Sequence, residues 1–312
     1  MKEILVVGSI NMDVVNKVDK HPLPGQTIHG KGVQYIPGGK GANQAVAARR
    51  LGGNVTMIGA VGTDIFGLEL INSLKENKVN IENILIKEST SGLAFITVDT
   101  KGENSIILSK GANGLLDKSD MKSLLDVLSH THIVLLQNEI QWEVNQYVIN
   151  EANRRGIHVF FNPAPAFEVP DDILSRIDVL IVNETEAEAI TGLNITTRSD
   201  AEKAADLLIQ AKVRQVLITM GEQGAYFAGA DGKTVFTPAF NVKAVDTTAA
   251  GDTFIGAFSV AFSLGKSIED CLLFASAASA ITVTRFGAQS STPSEEEIAH
   301  FLLEHKSNQV YL

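Results

Sequence analysis

The stretch VLIVNETEAEAIT, residues 179–191, passes from four consecutive apolar residues into a helical pattern with no linker between them. The run at 179–183 is too short for a buried helix and is apolar on both faces. That pattern belongs to a strand in a parallel sheet covered by helices on either side. Asn183, followed three residues later by Glu186, reads as a helix start of the capping-box kind. One such unit decides little; its repetition decides the fold. ILVVG at 4–8, VTMIGAVG at 55–62, HIVLL at 132–136, HVFFN at 158–162 and VLITMG at 216–221 are equally short and nearly uninterrupted. Segments 43–51, 67–78, 144–155, 184–191 and 201–211 fit helices between them. The alternation predicts an α/β fold with a doubly wound, mostly parallel sheet flanked by helices.

Residues 12–36 and 91–110 depart from this rhythm. They alternate in polarity and carry the turn signals HPLPG (21–25) and DTKGEN (99–104). One-sided alternation predicts four short strands in a small antiparallel sheet projecting from the main one as a lid. No low-complexity linker interrupts the chain, so 1–312 is expected to be one domain carrying that lid.

Composition narrows the function. At 45% hydrophobic and 20% charged over 312 residues, the chain can bury a full core. A net charge of −10 with no run of Lys or Arg argues against a nucleic-acid partner. The lone cysteine, Cys271, cannot form an internal disulfide and reads as a small buried hydrophobe. The opening MKEILVVGSINMD has too short an apolar run for a signal peptide, and no stretch reaches the roughly 18 apolar residues of a membrane span. A soluble, cytoplasmic protein with no membrane partner is expected.

In open α/β sheets ligands bind beyond the carboxyl ends of the strands. Polar residues cluster at such ends: Asn11 and Asp13, Asn138 and Glu139, Asn183, and Thr219. Two familiar phosphate motifs are absent. At Gly39-Lys40 a Walker loop would need a glycine where Gln34 stands and Ser or Thr where Gly41 stands, and no strand is followed by G-x-G-x-x-G with an acidic residue about 20 positions on. PGGKGANQAVAARRLGG (37–53) places Lys40 and Asn43 at a glycine-led helix start; it also reads simply as a turn into an Ala-rich packed helix. Asn11 and Asp13 of NMD face one side of a strand about 7 Å apart, a spacing that brackets vicinal hydroxyls. The alternative is a polar strand end making turn hydrogen bonds. TMGEQGAYF (219–227) has glycines three apart and fits an ordinary turn equally well.

AVDTTAAGDTFIGAF (244–258) is more pointed. Phe254, Phe258 and Phe262 mark one buried helix face, and Ala249, Ala250 and Gly251 lead into it with no bulky side chain. Backbone NH groups can converge there on an anion, with Asp252 beside them as a proton acceptor for a hydroxyl.

GGKGANQAVAARRLG and DTTAAGDTFIGAF together resemble the two signature segments of the ribokinase-like (PfkB) carbohydrate kinase family. GSINMD, NETE, TMGEQGAYF and TRFGAQSSTPS match it in order, so the resemblance covers essentially the whole chain. The resemblance implies ATP-dependent phosphorylation of D-ribose at O5, with Asp252 as base and Ala249, Ala250 and Gly251 as an anion hole. It implies sugar contacts from Asn11, Asp13, Gly39, Lys40, Gly41, Asn43 and Glu139, with Met12 between the first two. ATP would meet Asn183, Thr219, Gly221, Gly224, Gly251 and Ser276, and Glu186 would help place Mg2+. A potassium site is implied at Asp246, Thr248, Thr282, Arg285, Gly287 and Ser291, mostly through carbonyl oxygens. A homodimer formed through the lid is implied as well. Another pentose, 2-deoxyribose or a nucleoside remains open as substrate. A non-catalytic sugar sensor would be expected to lose Asp252 or its lead-in, and both are intact.

Overall fold

The structure, a computed structural model, describes residues 2–166 and 168–309; residues 1, 167 and 310–312 of the expected 1–312 span lie outside the described residues. The chain runs through β1 (Glu3–Val7), β2 (Asn11–Lys17), β3 (Val33–Gly38), α1 (Lys40–Arg50), β4 (Asn54–Gly62), α2 (Ile65–Glu76) and β5 (Asn80–Lys87). A hairpin, β6 (Gly92–Val98) and β7 (Asn104–Ser109), precedes α3 (Leu124–Leu128), β8 (Thr131–Gln137), α4 (Trp142–Arg154) and β9 (His158–Asn162). Then come α5 (Asp171–Leu174), β10 (Val179–Asn183), α6 (Glu184–Thr191), α7 (Arg198–Gln210) and β11 (Gln215–Thr219). β12 (Ala225–Gly229), β13 (Thr234–Thr237), α8 (Ala250–Ser263), α9 (Ile268–Val283) and α10 (Glu295–Gln309) follow.

Nine strands form the main sheet in the order β13-β12-β11-β10-β9-β8-β1-β4-β5. The pairs from β5 across to β11 are parallel, and β12 reverses against β11 and β13. β1 lies inside the sheet: the chain first builds outward through β4 and β5, then returns to β8 on the other side. The topological switch point therefore falls between the carboxyl ends of β1 and β8.

Each strand alternates between two apolar layers. Leu5 and Val7 face the layer of α4, α6 and α7, whereas Ile4 and Val6 face that of α1, α2, α8 and α9. Strands apolar on both faces had no other way to leave water. On α8 Phe254 and Phe258 are buried and Phe262 partly so, with Phe160 on β9 5.1 Å from Phe262 and 6.0 Å from Phe258, ring centre to ring centre. Cys271 is buried on α9, and burial first of all pushes its thiol up to about 12. The capping box at the start of α6 is realised with Asn183 and Glu186 exchanging hydrogen bonds.

The small sheet has the order β3-β2-β6-β7. Its outer pairs are antiparallel, but the central pair, β2 with β6, is parallel. β2 continues from β1 and β6 follows β5, so both leave the same end of the parallel main sheet and must run the same way. Tyr35, Phe95, Ile106 and Ile107 remain exposed on this sheet. Among the described residues no helix is long and apolar enough to cross a membrane.

Candidate active site

The site lies at the switch point, where β1 hands over to β2 and β8 ends. Ser9 Oγ donates to Glu139 Oε2 at 2.5 Å, and Asn11 Nδ2 donates to the same oxygen at 3.3 Å. The backbone NH of Lys40, first residue of α1, donates to Glu139 Oε2 at 3.3 Å, and Ser9 accepts from the NH groups of Gly41 and Ala42. Glu139, two residues past β8, supplies the negative charge that the helix dipole favours at the start of α1. Gly39 takes φ 89°, and a Cβ on it would stand 2.7 Å from the Asn11 backbone nitrogen. A Cβ on Gly41 would meet the backbone of Gly8 and Ser9 at 2.7 Å, so this glycine serves the close approach of α1 to β1.

Asp252 enters from α8. Its Oδ2 accepts from Asn43 Nδ2 and its Oδ1 from Gln44 Nε2, each at 3.1 Å. Gln44 is in turn held by Gln137, whose Nε2 donates to Gln44 Oε1 at 2.6 Å. Ahead of Asp252, Ala249 adopts the left-handed conformation (φ 58°, ψ 12°) and acts as an N-cap without a side-chain bond. A non-glycine residue pays about 1–3 kcal/mol to sit there. The result is an open helix start: Ala250 NH bonds back to Thr247 and the ladder begins at Thr253, leaving the NH groups of Gly251 and Asp252 with no backbone acceptor among the described residues. A left-handed residue leading into right-handed ones makes a concave nest for an anion.

Next to this nest is a cavity of about 210 Å3 lined by Lys40, Asn162, Val182, Asn183, Glu186, Thr219, Thr247 and residues 249–252. Gly221, Gly224 and Ser276 lie outside its wall. Gly221 and Gly224 form the turn after β11, and Ser276 is buried on α9.

The site is electrostatically loaded. Burial above all, then Glu139 and Asp252, pushes the Asp13 carboxyl up to about 7, against the pull of Lys40. No described group donates a hydrogen bond to the Asp13 side chain. Burial alone would lower the Lys40 ammonium, but Asp252, Glu139, Glu186 and Asp13 outweigh it and hold its pKa above the usual lysine value. Lys40 thus stands between the carboxylate cluster and the cavity. Burial also raises Glu186, while Lys40, the Asn183 NH and the Asn162 amide lower it in part.

Met12, between Asn11 and Asp13 on β2, is fully buried in the core layer of α1 and α8, where strand alternation turns it away from its two neighbours.

The loop before α8 and the turn after α9 are brought together. Asp246 Oδ1 accepts from Thr248 NH at 2.9 Å and Thr248 Oγ1 at 2.6 Å, while its Oδ2 accepts from Gly287 NH at 3.0 Å. Thr282 Oγ1 and Ser291 Oγ are spent on Ala278 and Ala288 carbonyls, and the Arg285 guanidinium pairs with Glu297. With those side chains engaged, the oxygen donors left between these loops are backbone carbonyls and the Asp246 carboxylate.

Sequence reasoning missed Ser9, Gln44, Asn113, Gln137 and Asn162. Gln137 and Asn162 end buried strands, as the residues it did select do; Gln44 lies inside the quoted GANQ segment, and nothing local marked Asn113.

An open helix N-terminus facing a cavity, beside buried carboxylates that can hold a polyol, is the arrangement of a small-molecule kinase. The chain belongs to the pfkB family of carbohydrate kinases, whose match spans residues 1–295. It is 42% identical over 308 residues to a ribokinase of Schizosaccharomyces pombe, covering 96% of this chain and 97% of that one. It is 36% identical over 302 residues to a deoxyribokinase of Salmonella typhi, covering 96% and 98%. A solved structure of Arabidopsis thaliana ribokinase complexed with ribose and ATP superposes with a TM-score of 0.89 at 32% identity, covering 96% and 98%.

Proposed function

We propose that this chain phosphorylates D-ribose at O5 with ATP, giving D-ribose 5-phosphate. The observation that carries the reading is the pairing of Asp252, fixed by two amides, with an adjacent helix start where the NH groups of Gly251 and Asp252 have no backbone acceptor among the described residues. Asn11, Asp13, Asn43 and Glu139 hold the sugar hydroxyls. Asp13, buried and without a donor among the described residues, accepts a hydrogen bond from a sugar hydroxyl. Asp252 orients the O5 hydroxyl and accepts its proton as the new O–P bond forms. Charge building on the transferred phosphoryl group falls on the NH groups of Gly251 and Asp252, and the Lys40 ammonium faces the same space. A loose phosphoryl-transfer transition state asks mainly for this positioning and charge stabilisation. The base of the nucleotide extends past Thr219 toward Gly221, Gly224 and Ser276.

The Glu186 carboxylate, with Asn183 and Asn162 beside it in the cavity wall, suits an octahedral ion that keeps most of its waters. Mg2+ held by these residues would supply positive charge against the phosphates. The oxygen donors around Asp246 and Gly287 suit K+ as an activator placed behind the nest. Both sheets act as one unit, the small sheet serving as the lid over the sugar and pairing with that of a second copy through its exposed apolar face.

The test is ADP release from Mg-ATP with ribose, 2-deoxyribose, fructose and adenosine, in K+ and in Na+, beside Asp252→Asn. Ribose-dependent, K+-stimulated turnover lost in Asp252→Asn is expected. The 36% identity to a deoxyribokinase favours 2-deoxyribose as a second reading, and preference for it over ribose would move the assignment there. No turnover with any sugar sinks both.

A further inference from the structure

Asn113 lies in the short 3-10 turn (Gly111–Leu115) that brings the chain back from β7, well away in sequence from every signature segment. It is buried, and its amide is fully used on one dipeptide. Nδ2 donates to the Ile10 carbonyl at 3.1 Å and to Asn11 Oδ1 at 2.7 Å, while Oδ1 accepts from the Ile10 NH at 3.0 Å. Ile10 and Asn11 are where the chain leaves β1 for β2. A side chain on Gly92, first residue of β6, would run into both Asn11 Oδ1 and Asn113 Nδ2. Three connections between the sheets therefore meet at one clasp.

The clasp has a chemical consequence for Asn11. An amide offers an acceptor on one side and donors on the other. With Oδ1 committed to Asn113, Asn11 can present only its NH2 group to the site, where it already donates to Glu139 Oε2. We propose that Asn113 is a positioning residue that sets the donor polarity of Asn11, and with it which sugar hydroxyl arrangement the site accepts. This rests on the sugar-kinase reading above. A hydroxyl between Asn11 and Glu139 meets one donor and one acceptor, matching its own acceptor and donor capacity. If the Asn11 amide were turned over, two acceptors would face one hydroxyl and leave a lone pair unserved.

Asn113→Asp keeps the shape and the acceptor for the Ile10 NH, but it cannot donate to Asn11 Oδ1, which favours the turned amide. The experiment measures KM and kcat for ribose and for 2-deoxy- and 3-deoxyribose in wild type, Asn113→Asp, Asn11→Ser and the double variant, with melting curves for each. The expected result is a roughly ten- to hundredfold loss in kcat/KM for ribose, carried by KM, with the ratio of ribose to one deoxy sugar compressed. In the Asn11→Ser background, Asn113→Asp should change that ratio less than about twofold, because its effect runs through Asn11. Should Asn113→Asp fail to fold, Gly92→Ala presses on the same clasp with both amides intact and should compress the same ratio. An equal loss for all three sugars, or the same change in both backgrounds, overturns the proposal while leaving the kinase reading standing. A wild type that phosphorylates no sugar overturns that reading and this proposal with it.

Discussion

Gly256 sits one turn beyond Asp252 on α8, and α1 fills the space that a side chain there would take. A methyl group at this position would stand 2.7 Å from Ala47 Cβ, 2.8 Å from Ala48 N and 3.1 Å from the Gln44 carbonyl. Carbon–carbon contact settles at about 3.5–4.0 Å, so in Gly256→Ala the two helices must part by roughly 1 Å. Two stability effects oppose each other. Alanine favours the helix by about 1 kcal/mol, and overpacking costs about 1–3 kcal/mol. The net loss of roughly 0–2 kcal/mol is worth only a few degrees of Tm in a chain this long. The catalytic effect is larger. Asp252 is held by Asn43 and Gln44 of α1 at 3.1 Å, and a bond stretched toward 4 Å no longer orients it. A misplacement of about 1 Å costs on the order of 10²-fold in rate. Gly256→Ala is therefore expected to fold, to melt within a few degrees of wild type, and to lose about two orders of magnitude in kcat. ADP release at saturating ATP and sugar, beside a thermal melt, measures both. Turnover within threefold of wild type would refute the reasoning that α1–α8 spacing sets the base.

Asp13 predicts an unusual pH trend. Its native pKa of about 7 lies above the ordinary 3.8, so the folded protein keeps a proton that the unfolded chain has released. Its stabilising contribution is complete below about pH 4 and is lost as pH rises to about 7. Melting curves of wild type and Asp13→Asn should lie close at the low end, where Asp13 is neutral like the amide, and separate as pH rises through about 7 with wild type losing stability; parallel curves would sink the assignment. Lys40→Met removes the ammonium that lowers Asp13, so the Asp13 titration should move further up, with kcat down by about 10²–10³-fold; an unmoved titration would show that Lys40 is not at the cluster. Gln44→Leu should lower kcat by roughly tenfold or more with folding intact, since one of two donors to Asp252 is lost; full turnover would show that Asn43 suffices. Asp246→Asn should weaken the ties to Thr248 and Gly287 and raise the K+ concentration needed for half-activation, read from turnover against K+.

Local pattern was enough for the framework. Val179–Asn183 and its counterparts are apolar on both faces, and a strand of that kind has only a covered parallel sheet to occupy. The open helix start before Asp252 was legible for a similar reason, because small residues ahead of a helix leave NH groups bare whatever surrounds them. What only the tertiary structure decided is which distant groups meet. Glu139 reaches the start of α1 because the chain, having reached β5, returns to β8 beside β1, a choice of strand order that no local pattern encodes. The parallel pairing of β2 with β6 follows from both leaving one end of the main sheet. Gln44, Gln137 and Asn113 look like ordinary polar residues in the sequence, and they become supports of the site only because burial removes water and leaves each amide one set of partners.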